Sequence, residues 1–229
     1  MKRILIVPLA VLIMVAGAAA STLCPSGLVV GTLAAYEANY NGLENACLIG
    51  DKLFYNFNWT LNGGTVTPDV TQIMLSGDAT NPISNPGLKI QTGEFFLFAP
   101  DTLDFTITYS VATASGSALM EDYDIVIAGG TGNTPGVGTV TESFSSPDID
   151  PLLVGFGPGR AGISSGHVSF NPYLVGTTVS TRIQENAGTG QIDISYIQEN
   201  FSEVIPEPYA AVLIGSGLVL VGLRRKRAA

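Results

Sequence analysis

The chain has 229 residues, with ten Lys and Arg against nineteen Asp and Glu and a formal net charge of −9. Six of the ten cations stand in the terminal segments (Lys2, Arg3, Arg224, Arg225, Lys226 and Arg227), so the stretch between holds only Lys52, Lys89, Arg160 and Arg182. A domain this acidic repels phosphate backbones, which excludes nucleic acid as a partner.

Taken in chain order, Met1-Lys2-Arg3 followed by the apolar run Ile4 to Val15 and by Ala18-Ala19-Ala20 has the charged start, apolar core and small residues of a secretory signal peptide cut after Ala20. A lipoprotein reading would rest on Cys24, but Leu23 stands where a small residue is needed. The two cysteines, Cys24 and Cys47, form an even pair behind an export signal and are expected as a disulfide. Such a bridge closes a loop of roughly 24 residues and contributes about 3 kcal/mol in the chain-entropy estimate. With no Cys or His beside them, the pair is not expected to bind metal. Between them, Thr32 to Ala38 predicts one short helix, capped by Thr32 and ended by Asn41-Gly42.

Beyond Lys52 the pattern is of strands. Tyr55, Phe57, Trp59 and Leu61 alternate with Asn56, Asn58 and Thr60, and Phe105, Ile107, Tyr109 and Val111 alternate with Thr106, Thr108 and Ser110, the period of a half-buried strand. Further strands are expected at Val70–Leu75, Leu88–Gln91, Glu94–Phe98, Tyr123–Ile127, Thr139–Phe144, Leu152–Phe156, His167–Phe170, Thr177–Gln184 and Gln191–Phe201. Asn62-Gly63-Gly64, Asn85-Pro86-Gly87, Gly129 to Asn133 and Ala187-Gly188 read as the turns between them. Many short strands with turn punctuation and no helical periodicity predict an all-β fold, a single antiparallel β-sandwich with one short N-terminal helix. Ser202 to Glu207 reads as a stalk.

Candidate chemistry within this domain is sparse. Gly162-Ile163-Ser164-Ser165-Gly166 spells a nucleophile elbow with His167 beside it, but the elbow needs a strand before and a helix after, and neighbouring strand residues point to opposite faces. Gly157 to Gly162 spells a dinucleotide fingerprint without a βαβ frame and reads as a turn. Glu121-Asp122-Tyr123-Asp124 and Asp148-Ile149-Asp150 offer carboxylates of the kind Ca²⁺ takes, though neither matches a calcium motif. Tyr40 and Tyr173 are candidates for stacking on sugar rings. No catalytic residue, cofactor or metal is expected.

The tail runs Val204-Ile205-Pro206-Glu207-Pro208, then an apolar stretch from Tyr209 to Leu223, then Arg224-Arg225-Lys226-Arg227. The prolines break any element entering from upstream. The fifteen residues of this stretch as a helix reach roughly 22 Å against roughly 30 Å of hydrocarbon, short for a lasting span. The four cations hold the end on the cytoplasmic side. A proline break, a short apolar helix and a basic stop follow the logic of a removable C-terminal signal, with an uncleaved tail anchor as the alternative. This order resembles the PEP-CTERM sorting domain of Gram-negative bacteria. So does Ala46-Cys47-Leu48-Ile49-Gly50-Asp51-Lys52-Leu53-Phe54-Tyr55-Asn56-Phe57, which is similar to a segment that follows the signal peptide in many such proteins.

The resemblance implies that Pro206, Glu207 and Pro208 form the recognition box for exosortase, a membrane-embedded protease, with Arg224, Arg225, Lys226 and Arg227 as the basic stop. The organisation expected is a signal peptide at 1–20, a β-sandwich ectodomain at 21–203 and a sorting signal at 204–229 with a transmembrane helix. The protein would be processed by signal peptidase and exosortase. It would pass through the inner membrane by its C-terminal helix and end at the cell surface or in the exopolysaccharide matrix as a structural or interaction protein. The alternatives are a carbohydrate- or calcium-binding adhesive module and a secreted hydrolase using Ser164 and His167.

Overall fold

The computed structural model describes residues 22–23, 31–77, 86–114, 118–132 and 134–204. The expected signal peptide, Cys24, the box Pro206, Glu207 and Pro208, the apolar tail and the basic stop Arg224, Arg225, Lys226 and Arg227 lie outside the described residues. No described helix is long and apolar enough to cross a membrane.

In chain order the elements are β1 (Thr22–Leu23), β2 (Gly31–Thr32), α1 (Leu33–Asn39), a 3-10 turn (Leu43–Asn45), β3 (Cys47–Ile49), β4 (Lys52–Gly64), β5 (Met74–Gly77), β6 (Gly87–Gln91), β7 (Phe96–Phe98) and β8 (Thr102–Thr113). There follow β9 (Leu119–Gly130), β10 (Val137–Phe144), β11 (Leu152–Phe156), β12 (Ala161–Leu174), β13 (Gly176–Asn186) and β14 (Gln191–Val204). One sheet has the order β1-β3-β4-β8-β13-β10-β11, and the other β12-β9-β14-β6-β5-β2, with β7 also on β14. All pairings are antiparallel except that of β1 with β3, which aligns Thr22 with Cys47.

The two sheets share one core because each strand alternates. Phe105, Ile107, Tyr109 and Val111 of β8 and Tyr123, Ile125 and Ile127 of β9 are fully buried, and they join Phe54, Phe201 and Ile197 in a single apolar cluster. Phe54 and Phe201, from opposite sheets, have ring centroids 6.0 Å apart. Helix α1 is capped as expected, Thr32 accepting from the Ala35 N–H at 3.1 Å. It buries Leu33 and Tyr36 against the sheet edges and is tied to β4 by the Trp59 indole N–H, which donates to Glu37 at 3.0 Å.

Several expectations are corrected. In β4 the inward residues are Lys52, Phe54 and then Phe57, not Tyr55, because Asn56 adopts φ 55° at a bulge that shifts the phase of the alternation. Asn62-Gly63-Gly64 belongs to that strand rather than to a turn. The strand expected at Val70–Leu75 begins only at Met74, and that at Glu94–Phe98 begins at Phe96. Strand β12 is far longer than His167–Phe170, since its glycines are accommodated at a sheet edge where β12 pairs only with β9. Ser202, Glu203 and Val204 continue β14 and pair with β9, so the stalk cannot begin at Ser202.

Candidate functional site

The outer face of the second sheet carries the most distinctive set of accessible polar groups. On β9, Tyr123 and Ile125 point into the core, which turns Asp122 and Asp124 outward. Antiparallel pairing then aligns Asn200, Asp124 and His167 in one row across β14, β9 and β12, and Ser202, Asp122 and Ser169 in the next. His167 Nδ1 lies 2.8 Å from Asp124 Oδ1, and its Nε2 lies 3.2 Å from Ser169 Oγ. The Ser202 hydroxyl donates to Asp122. The rows are therefore joined into a hydrogen-bonded ladder, with Asp124 bonded to His167 and Asp122 to Ser202 across strands and Ser169 to His167 along β12.

Beside this ladder the pairing of β12 with β9 loses register. Ser169 is opposite Asp122 and Leu174 is opposite Met120, so Phe170, Asn171, Pro172 and Tyr173 bulge out against the single residue Glu121. Phe170 anchors the bulge from within, buried and edge-on to Phe144 at 5.4 Å. Tyr173 stands half-exposed on the rim. A depression of about 530 Å³ opens between Tyr173, Pro172, Glu121, Asp122 and Ser169. A second of about 540 Å³ lies along the other side of the ladder, over Asp124, Val126, Ser165, His167 and Asn200. Farther along the same face, the Lys89 ammonium sits 4.7 Å from the centre of the Tyr196 ring.

The predicted candidates are thereby sorted. Asp122, Asp124, His167 and Tyr173 come together, whereas Tyr40 packs on Tyr36 and Phe57 at 4.9 and 6.4 Å and offers no free platform. Asp148 and Asp150 sit on an exposed loop around the buried Ile149. Ser164 faces the opposite side of β12 from His167, where its hydroxyl accepts from the Gly155 N–H at 3.3 Å. The elbow sequence lies within a strand with no helix after it, so Ser164 and His167 do not form a nucleophile and base. Gly157 to Arg160 turn back on themselves, Arg160 N–H donating to the Gly157 carbonyl, and lead into β12 rather than a helix.

Asp122, Asp124 and His167 offer ligand atoms within 4.8 Å of one another. Calcium takes six to eight oxygens, while here only two carboxylates converge and the third ligand is a ring nitrogen. The donor set does not fit that ion.

Sequence reading missed Ser169, which strand periodicity places on the face of His167 two residues on, and Asn200, which topology alone brings into the row. It also missed the interior polar groups. Glu142, Glu199, Glu185 and Lys52 are almost completely buried. Lys52 lies 2.7 Å from Asp51 and 2.9 Å from Glu203. Burial pushes the Glu142 and Glu185 carboxyls well above the usual carboxylate range and Glu199 to about 7. Their signal was available, since each falls in phase with buried apolar residues of its own strand, as Glu199 does between Ile197 and Phe201.

No family model matches the chain, and no curated protein matches it. Among solved structures, similarity is found to TmCBM61 in complex with β-1,4-galactotriose, at 11% identity and TM-score 0.33, covering 63% of this chain and 90% of that one. The enzymatically active domain of bacteriophage CBA120 tailspike protein 4 is similar at 11% identity and TM-score 0.27, over 64% of this chain and 19% of that one. A family 11 carbohydrate-binding module from Clostridium thermocellum, in complex with a β-1,3-1,4-mixed-linked tetrasaccharide, is similar at 7% identity and TM-score 0.24, over 66% and 88%. At these scores the likeness carries no inference about what this chain binds.

Proposed function

We propose that the domain is a non-catalytic glycan-binding module of an exported surface protein, and that the ladder face of the second sheet holds the sugar. The observation that carries this reading is the half-exposed Tyr173 ring standing over a shallow depression whose floor is the oriented row of Asp122, Ser169 and their neighbours. An aromatic face gives a pyranose ring an apolar surface to lie on, and fixed carboxylates accept pairs of hydroxyls with charge-assisted strength. With Glu121, Asp122 and Asp124 on one face, an anionic polysaccharide is repelled, so the ligand class is a neutral glycan.

Export, the Cys24–Cys47 disulfide and sorting by exosortase through Pro206, Glu207 and Pro208 belong to the same reading, which brings the module to the cell surface or exopolysaccharide matrix. Binding is tested by titrating neutral oligosaccharides into the wild type, Tyr173→Ala and Asp124→Asn. Loss of one stacked ring corresponds to roughly a tenfold weaker Kd. Saturable binding weakened by both substitutions supports the proposal, and affinity indifferent to both would refute this face as the site. Sorting is tested separately, by the mass of the protein from cells with and without exosortase. An intact tail in both defeats that part alone.

A further inference from the structure

Between the two sheets, two buried glutamates meet on one hydroxyl. Glu142 projects inward from β10 of the first sheet and Glu199 from β14 of the second, and both are fully buried. Thr181 Oγ1, also fully buried, lies 3.0 Å from Glu142 Oε2 and 2.8 Å from Glu199 Oε1. The Tyr109 hydroxyl donates to Glu199 Oε2 from β8. Tyr123 of β9 faces the same cluster, its buried hydroxyl directed toward Glu142. The described cations are placed elsewhere: Lys52 with Asp51 and Glu203, Lys89 over Tyr196, Arg182 with Asp104, His167 with Asp124 and Arg160 exposed on a turn.

A threonine hydroxyl carries one proton and so donates to one oxygen only, though it also accepts. Two ionised carboxylates cannot both be served by it, and an ionised pair without its full set of donors is among the costliest things to bury. Glu199 already accepts from Tyr109, which marks it as the acceptor for Thr181 as well. The remaining contact is then satisfied only if Glu142 is the donor.

We propose that Glu142 is a neutral carboxylic acid at neutral pH and that a directed chain, Glu142 to Thr181 to Glu199, locks one sheet to the other through a single shared proton. Closing the sandwich is thereby coupled to holding that proton, and alkaline surroundings, by removing it, set two negative charges against each other across the interface. Burial, which raises both carboxyls, acts in the same direction.

The test uses infrared spectroscopy of the full chain together with melting curves of Glu142→Gln and Glu199→Gln. Because Glu185 is a second buried carboxyl raised by burial, the spectra are taken in the Glu185→Gln background, which at pH 7 is expected to show the carbonyl band of a protonated carboxyl shielded from solvent exchange, and the addition of Glu142→Gln to abolish it. A glutamine amide at 142 still donates to Thr181, so Glu142→Gln should melt above the wild type at about pH 8.5, by roughly 5 °C. A glutamine at 199 keeps an acceptor for only one of the two hydroxyls and turns its N–H groups toward the other, itself a donor, so Glu199→Gln should melt below the wild type. Absence of the band at pH 7, or the reverse order of the two variants, overturns the proposal. If neither variant folds, the band in the Glu185→Gln background alone decides.

Discussion

Replacing Lys52 by Met tests how the two sheets are held at their ends. Lys52 opens β4 in the first sheet, while Glu203 lies one residue from the end of β14 in the second. The fully buried ammonium bridges Asp51 and Glu203, whose side chains are 29% and 18% exposed. Met keeps the aliphatic stem and its packing but removes the charge, leaving two carboxylates facing each other. Breaking a wholly buried ion pair by deleting one partner costs about 3–5 kcal/mol. Water reaches both acids here, and either can take up a proton, so the expected loss is reduced to about 2–3 kcal/mol. For a domain of this size that lowers the melting temperature by roughly 5–10 °C. Urea unfolding followed by the fluorescence of the single tryptophan, Trp59, measures it. Because the penalty is repulsion between carboxylates, it should shrink at pH 4 and be partly relieved by adding Glu203→Gln. A loss under about 0.5 kcal/mol, or an equal loss at pH 4 and pH 8, would refute the reasoning.

The pH profile of the wild type follows from the buried acids. Glu199 rises from an ordinary value near 4.5 to about 7 through burial, so its contribution is intact below about 4.5 and lost as pH climbs through 7, about 3 kcal/mol in all. Glu142 and Glu185 are raised by burial too and extend the decline upward. Melting temperature should therefore fall from pH 5 to pH 8, and a flat or rising profile would contradict the assignment. Gly87→Ala is a second test: strand β6 passes so close to β14 there that a Cβ would run into the Glu199 carbonyl oxygen. It should cost on the order of 2–3 kcal/mol in urea melts, and a neutral result would show that the strands separate easily.

Alternation carried most of the fold. Phe105 to Val111 was readable as a strand with its buried face because nothing interrupts the period, and all four apolar residues are fully buried. In β4 the same reading chose the wrong face for Tyr55, since one residue in the left-handed region at Asn56 reverses the phase and sequence gives no measure of that bulge. Glycines misled in β12, where turn composition hid a strand running from Ala161 to Leu174. The candidate site was legible only in fragments. Asp122, Asp124, His167 and Tyr173 were each visible as residue types, but the ladder that joins them depends on which strand lies beside which. That is decided by packing between segments some forty residues or more apart.

Strand β14 ties these levels together. Its inward Glu199 takes part in the buried proton chain, its outward Asn200 and Ser202 belong to the ladder face, and Glu203 closes the clamp on Lys52. Four residues within a stretch of five, Glu199 to Glu203, thus serve the core, the surface and the sheet ends, which a strand can do because its side chains alternate faces. A change that loosens β14 is felt at all three places. The ladder geometry needed to hold a flat ligand is set by hydrogen bonds between neighbouring strands, so a core that repels itself at high pH would disorder the face. Glycan affinity should therefore decline in the same pH range as stability, even though the ligand itself carries no charge.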